Sequence, residues 1–531
     1  MNFEAFSIFA NTNHWLALWP ELVLGGFALG LLLLELLLGK QAQRLIPWIT
    51  MAGLTALLVA QAILFANWQD WADTRLFSGM IVVSASGQVM RLFLLASAVL
   101  ASWLGLIYFR KQKLPRVEFF HVLLVVTAAM MLLTQSAHFV MLFVALETVT
   151  VGFYVLVSYC RTNPASLEAG LKYLILGGVS SAILLFGIVL LYGAAGMPDL
   201  EVAAFFSEHN LPPVLVDPIQ FENLQAYIAA HPDSLLVNAG ALLVLAGVAF
   251  KIAAFPFQIW VPDVYQGAPT PVTAFLAVGS KAAGFFVLVN LLHPATGPLA
   301  PLFSGDGKLA PFLIAIASVT ILFGNLTALP QRNVKRLMGL SGVAHAGYLL
   351  VGVVALTQGS TLALGAIFFY LVTYLLGSFA VFGVMAHMAG EQDDAQELQH
   401  YANLARRGPF LSGVLAIGLG SLAGIPPLAG FIGKVFLFIA AFQAEAYLLL
   451  GITVLGAVIS IYYYFGWVQE AFFLHRSINE PDMTEGASQT ASAESRPALS
   501  LGIFDRVALG ALSVLTVVVG IYQGLFAGWL F

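Results

Sequence analysis

The chain reads as an all-α polytopic membrane protein with about fourteen transmembrane helices. Composition is the first reason: of 531 residues, 60% are hydrophobic and 9% charged, against roughly 25% charged in a soluble domain. The second is that apolar stretches long enough to cross a hydrocarbon core, about 17–25 residues, recur almost without pause. The third is that Lys and Arg gather in alternate loops, the pattern that orients membrane helices.

The first stretch, 17–38, follows MNFEAFSIFANTNHW. That start has no basic n-region and no small-residue cleavage site, so no removable signal peptide is expected. Lys40 and Arg44 separate it from the second, 45–66. The third, 88–109, is stopped by Arg110, Lys111, Lys113 and Arg116. The fourth and fifth, 117–134 and 138–160, are followed by Arg161 and the sixth, 167–192. Residues 193–234 form a long acidic loop carrying Asp199, Glu201, Glu208, Asp217, Glu222 and Asp233. The seventh and eighth stretches, 235–257 and 267–292, flank Pro256, Pro262 and Pro269. The ninth, tenth and eleventh are 310–328, 334–356 and 361–388. The twelfth, 409–443, is too long for one crossing and is interrupted by GIPPLAGF. The thirteenth is 446–472. Residues 474–506, rich in Ser, Glu and Pro, read as a polar cytoplasmic linker before the last stretch, 507–529.

Fifteen of the 22 Lys and Arg fall in odd-numbered loops or at their edges, including Arg332, Lys335, Arg336, Arg406, Arg407, Arg476, Arg496 and Arg506. Only Arg75, Arg91 and Lys308 fall on the other side. Odd-numbered loops are therefore expected in the cytoplasm and both termini outside, in a bacterial inner membrane.

Spans 4–8 contain one helix broken at Pro256, and spans 9–13 one broken at Pro426 and Pro427. Five spans is an odd number, so consecutive copies insert with opposite orientation. The expected organisation is three N-terminal helices (1–116), two inverted five-helix repeats (117–292 and 293–472), then the linker and last helix (473–531). Paired broken helices point to a transport site.

Lys172, Lys251, Lys281 and Lys434 lie within spans, as does Glu147. An ionisable residue at the bilayer centre costs about 2.5–3.5 kcal/mol on insertion scales, so all five are expected to face the protein interior. Structural ion pairing accounts for one such pair; five charges over five spans suit a proton relay. Desolvation lowers a lysine's proton affinity and a nearby carboxylate restores it, so such groups can alternate between donor and acceptor. A proline break beside Lys251 frees backbone carbonyls, tolerable at membrane depth only near protein or water. His345, within NVKRLMGLSGVAHAGYLLVG, is a further relay candidate. His121 and His387, nearer span ends, read as structural. The single Cys160 excludes a disulfide framework and a cysteine-ligated cluster. HExxH, GxGxxG and Walker patterns are missing from the sequence.

SLEAGLKYLILGGVSSAILLFG, FKIAAFPFQIWVPDVYQGAPTPVTAFLAVGSKAAGF, NVKRLMGLSGVAHAGYLLVG and GIPPLAGFIGKVFLF, in that order, resemble the antiporter-like subunits of respiratory complex I, NADH:quinone oxidoreductase. The resemblance covers about 117–472. Fourteen spans, a lysine on the broken twelfth helix and PDVYQGAPTPV resemble one branch of that family. It implies that Glu147 modulates Lys251, that Lys281 connects, that Lys434 is the exit-side lysine, and that Lys172, Lys335 and His345 are further polar positions. Where many relatives place a histidine seven residues after the helix-7 lysine, this chain has Gln258, which cannot titrate.

The resemblance implies a proton-translocating subunit without a cofactor of its own. FMN, iron–sulfur clusters, NADH and quinone would belong to the parent complex. The implied partners are a neighbouring antiporter-like subunit, small connecting membrane-arm subunits and the bilayer, with no nucleic acid. Two alternatives stay open at this point: a stand-alone or Mrp-type cation/proton antiporter, and a structural subunit that only tethers membrane partners.

Overall fold

A computed structural model describes residues 13–67, 73–112, 114–196, 217–390, 393–473 and 501–524. Most of the acidic 193–234 loop and of the 474–506 linker lies outside the described residues. Those described contain thirteen helices long and apolar enough to cross a membrane. Spans 1–6 are Trp15–Leu38, Gln43–Asn67, Ala85–Lys111, Val117–Thr134, Phe139–Val157 and Pro164–Ala195. Spans 7–11 are Leu235–Gly267, Thr270–Leu292, Ala310–Ala328, Val334–Thr357 and Ala363–Met388; span 13 is Tyr447–Phe472 and span 14 Ile503–Ile521. The remaining crossing, span 12, is made by two shorter apolar helices, Pro409–Ala423 and Ala429–Gln443. The multi-pass membrane architecture expected from the sequence is therefore present.

Several helices start where a short polar side chain can occupy the orphan amides of the first turn. Ser84 accepts from the Gly87 amide and Ser234 from that of Val237. Asn163 accepts from Ala165, with Pro164 at the first helical position. Asn333 accepts from both Lys335 and Arg336, fixing the start of span 10.

The bundle is layered by burial. Spans 8 and 10 are enclosed along their whole apolar windows, and span 11 almost so. Spans 1 and 2 lie at the rim, with Leu29, Leu33, Val59 and Ile63 exposed. The most enclosed helices carry Lys281 and His345, so the fold itself places these groups at the protein's centre. His121 ties span 4 to span 1 by a 2.9 Å contact from Nδ1 to the Ala28 carbonyl.

Three expectations change. The last span begins at Ile503, four residues before the sequence-based boundary, because Asp505 is buried in its first turn. There it takes Arg110 at 2.8 Å and the Trp103 indole at 3.1 Å. Arg91, read as an outer-mouth charge, is instead 2% exposed and forms an ion pair with Glu21 at 2.8 Å. Its Nη1 also donates to Gln88, and Gln135 donates to Glu21. Lys172 does not face the interior: its side chain is 41% exposed and pairs with Glu168 and Asp263, both at 2.7 Å. A carboxylate one turn away and a second from span 7 neutralise it near the helix start. A short hairpin, Thr74–Leu76 with Ile81–Val83, joins spans 2 and 3.

The Arg91–Glu21 pair yields a stability prediction. Arg91→Met leaves a carboxylate buried without its cation and should cost roughly 3–5 kcal/mol. Glu21→Leu with Arg91→Met should recover most of that loss, as read by thermal unfolding of the purified protein in detergent. Equal losses in the single and double variants would contradict it.

Candidate functional site

Span 7 stops being helical at Ile252. Ala253 adopts the left-handed conformation (φ 61°), and the Ala254 amide bonds the Ala249 carbonyl at 2.9 Å. Span 12 ends its first half the same way: Gly424 has φ 84°, and the Ile425 amide bonds the Gly420 carbonyl at 2.9 Å. This is the helix-closing pattern that satisfies terminal carbonyls within the chain. A cis X–Pro bond follows each cap, Phe255–Pro256 and Pro426–Pro427.

Superposing the two caps along the sequence sets Lys251 opposite Leu422 and Lys434 opposite Asp263. The two lysines thus sit on corresponding broken helices at different positions, one before its break and one after. Both ammonium groups still lie at the C-terminal end of a half-helix, where the helix dipole favours a cation. Lys251 belongs to the last turn of Leu235–Ile252. Lys434 reaches back across its break to the Ala423 carbonyl at 2.7 Å, with Ser460 Oγ at 3.3 Å. A Cβ placed on Gly424 would lie 2.9 Å from Lys434 Cδ, so the left-handed glycine also makes room for this side chain.

Lys251, Lys281, His345 and Lys434 are all buried. Lys251 Nζ donates to Thr150 Oγ1 and lies 5.8 Å from the Tyr173 ring centroid. Glu147, one turn before Thr150 on span 5, accepts from the Ser181 hydroxyl. The expected contact between Glu147 and Lys251 is therefore indirect: hydroxyls occupy the first positions around both groups. Span 8 passes close behind, since a Cβ on Gly284 would lie 3.5 Å from Lys251 Cβ. One turn earlier on span 8, Lys281 donates to the Gly342 carbonyl at 2.6 Å and lies 5.4 Å from the Tyr374 ring centroid.

Tyr374 in turn has its ring centroid 4.8 Å from that of His345. His345 is held between two phenols, Nδ1 to Tyr370 OH at 2.7 Å and Nε2 to Tyr464 OH at 3.1 Å. A neutral imidazole donates at one nitrogen and accepts at the other, so this geometry can pass a proton through the ring. Beyond it lies a cavity of about 10 Å³ bounded by His345, Tyr370, Tyr374, Ser421 and Lys434. That is close to the least room a single water needs. Lys434 lies 5.1 Å from the Tyr348 ring centroid. A π-type turn, Leu276–Ser280, immediately precedes Lys281; such turns are frequent at functional sites.

The structure thus gathers Glu147, Lys251, Lys281, His345 and Lys434 along one line through spans 5, 7, 8, 10 and 12. Lys335 and Lys172 are elsewhere. Lys335 is buried but paired with Asp393 at 2.6 Å, and it also donates to the Ala268 carbonyl at 2.9 Å. Thr270 donates to the same carboxylate at 2.8 Å. Lys172 shares Asp263 with Arg336 at the same end of the bundle. Gln258 is buried at the span-7 break, and its Oε1 has no donor among the described residues.

Sequence reasoning missed Thr150, Ser181, Tyr370, Tyr374, Tyr464 and Asp393. Among apolar residues, hydroxyls and phenols carry no periodic signal of their own. The helix faces opposite the lysines were the only place to have sought them.

Residues 136–460 match the family described as NADH:quinone oxidoreductase/Mrp antiporter, TM. The chain is 52% identical over its full length, and over 99% of the relative, to NADH-quinone oxidoreductase subunit N 1 of Opitutus terrae. Its fold is similar to a chain of respiratory complex I from Thermus thermophilus with bound aureothin, at 28% identity. That likeness has a TM-score of 0.72 and covers 95% of this chain and 98% of that one. A chain of the Mrp complex from Dietzia sp. shares the fold at 19% identity, with a TM-score of 0.74 and 97% of each chain covered. Shared architecture accounts for the Mrp likeness, whereas the full-length identity singles out one branch: the chain belongs to the NADH:quinone oxidoreductase/Mrp antiporter family, in its NADH-quinone oxidoreductase subunit N branch.

Proposed function

We propose that the chain is a proton-translocating, antiporter-like membrane-arm subunit of an NADH:quinone oxidoreductase, set in a bacterial inner membrane with both termini outside. The observation that carries this reading is the line of buried groups from Lys251 to Lys434, with half-buried Glu147 at its end. Three of its members are lysines whose nearest partners are hydroxyls, carbonyls and rings. Other membrane-arm subunits would deliver the energy of electron transfer as a conformational or electrostatic change. FMN, iron–sulfur clusters, NADH and quinone belong to those partners in this reading; one cysteine cannot supply the usual ligand set of a cluster.

Each residue then has a role. Glu147 sets the charge beside Lys251 through the Ser181 and Thr150 hydroxyls. Lys251 and Lys281 exchange a proton across one turn of span 8, a step that needs bridging water because packing alone joins them. Lys281, the Tyr370–His345–Tyr464 group and Lys434 complete the line. Lys335 and Lys172 hold the bundle end together through Asp393 and Asp263 and take no part in transfer. The matching caps of spans 7 and 12 support the division into repeats 117–292 and 293–472, flanked by the N-terminal helices (1–116) and the linker with the last helix (473–531).

Glu147→Gln and Lys251→Met should leave the complex assembled while lowering proton uptake in vesicles about tenfold or more, with electron transfer to hydrophilic acceptors retained. Lys434→Arg keeps the charge but cannot deprotonate, so an assembled Lys434→Arg complex should pump as poorly as Lys434→Met. A pH-sensitive dye with a sodium probe in parallel reads both; normal proton uptake in any of these assembled variants contradicts the assignment.

The proposed sidedness has its own test. A cysteine introduced at Ser234 should react with an impermeant maleimide added outside, and one at Arg332 only from the cytoplasmic side. The reverse pattern would invert the topology.

A further inference from the structure

We propose that the cleft between spans 2, 3 and 14 binds an anionic phospholipid, its headgroup among arginines and its acyl chain in an adjoining apolar groove. Where spans 2, 3, 4 and 11 end together, a pocket of about 1100 Å³ is lined by Arg44, Arg110, Lys111 and Arg116, with no carboxylate among its described lining residues. Arg44 is exposed and makes no ion pair or side-chain hydrogen bond among the described residues. Arg116 is held in place by the Phe109 carbonyl at 2.9 Å and Lys111 by three carbonyls of the span-11 terminus, so both are positioned by neutral groups. Among the described residues, the one ion pair made by these four cations is that of Arg110 with Asp505, and Arg110 stays 46% exposed.

Deeper along the same helices runs an apolar groove of about 800 Å³. Ala52, Ala56 and Ala60 form its floor on span 2, with Val99 and Trp103 of span 3 and Phe504 of span 14 as walls. Trp48 joins the two spaces: the Arg110 guanidinium lies 6.0 Å from its ring, and Phe504 packs edge-on at 5.7 Å. On span 2 the cation lies at Arg44 and the groove from Met51 onward; on span 3, running the other way, the groove at Val99–Trp103 precedes Arg110. Charged and apolar ends therefore coincide across the cleft. Met51 to Ile63 spans roughly 18 Å at 1.5 Å per residue, about the depth of one leaflet of a 30 Å core. Small side chains give a slot of acyl-chain width, and basic pockets between helix ends select anionic headgroups. The surrounding bilayer supplies the ligand.

The test uses the intact complex in nanodiscs of phosphatidylcholine doped with diazirine-bearing phosphatidylglycerol. Photolabel should appear on peptides covering 51–63 and 503–508, and unlabelled phosphatidylglycerol should compete at least fivefold better than phosphatidylcholine. Arg44→Ala should reduce labelling about fivefold, the weight of one cation near a membrane surface. Ala56→Trp, which fills the slot, should abolish it. Equal competition by the two lipids, or labelling unchanged in both variants, would overturn the proposal. So would a photoreactive residue at position 56 that cross-links to a neighbouring subunit, which would make a protein helix the occupant.

Discussion

Every charge inside this bundle must find its partners in protein, because hydrocarbon offers none, and how each one does so divides the molecule. Arg91 and Lys335 meet carboxylates, Glu21 and Asp393, and are enclosed with them. Removing either partner would strand the other, so these cations are fixed parts of the frame. Lys251, Lys281 and Lys434 are enclosed with neutral groups instead: Thr150, the Gly342 carbonyl, and the Ala423 carbonyl with Ser460. Losing a proton there breaks no ion pair. In the proposed function, the distinction between a strut and a proton carrier is thus made by the partner, not by the lysine.

The backbone obeys the same constraint. Spans 7 and 12 are interrupted at membrane depth, yet each half-helix closes its own carbonyls with a left-handed residue and a backward hydrogen bond. What the breaks leave over is a concentration of partial negative charge at two half-helix ends. An ammonium reaches one of these from within its own helix and the other from across the gap. The same electrostatic solution is therefore reached from sequence positions that do not correspond.

Much of this was legible beforehand. Span count, the two breaks and the three lysines on the central line follow from hydropathy and from charges too costly to be accidental, and His345 from its place mid-span. Glu147 was legible as well, but not its indirect relation to Lys251, because the Thr150 and Ser181 hydroxyls look unremarkable in sequence. Lys172 misled because its span was read correctly while its helix face was not. Glu168 one turn earlier was the local signal that this lysine is neutralised near an exposed surface. Asp393 and Glu21 stayed hidden for a different reason: each meets its cation across 58 or 70 residues of chain. Only tertiary structure joins such pairs.

The clamp on His345 carries a consequence of its own. With a phenol on each ring nitrogen, the Tyr370–His345–Tyr464 triad is a wire with a polarity: all its O–H and N–H bonds point one way or the other. A proton that enters at one end and leaves at the other reverses every arrow. The next proton in the same direction finds the wire facing backwards until both hydroxyls and the tautomer reset. Rotation of the phenolic hydrogens resets the two hydroxyls, but the tautomer resets only by a further proton exchange at the ring nitrogens, on an imidazole whose centroid lies 4.8 Å from that of Tyr374. In the proposed relay, traffic through the centre of the bundle would move like a turnstile, one passage per click, with a built-in pause before a second proton could follow the first.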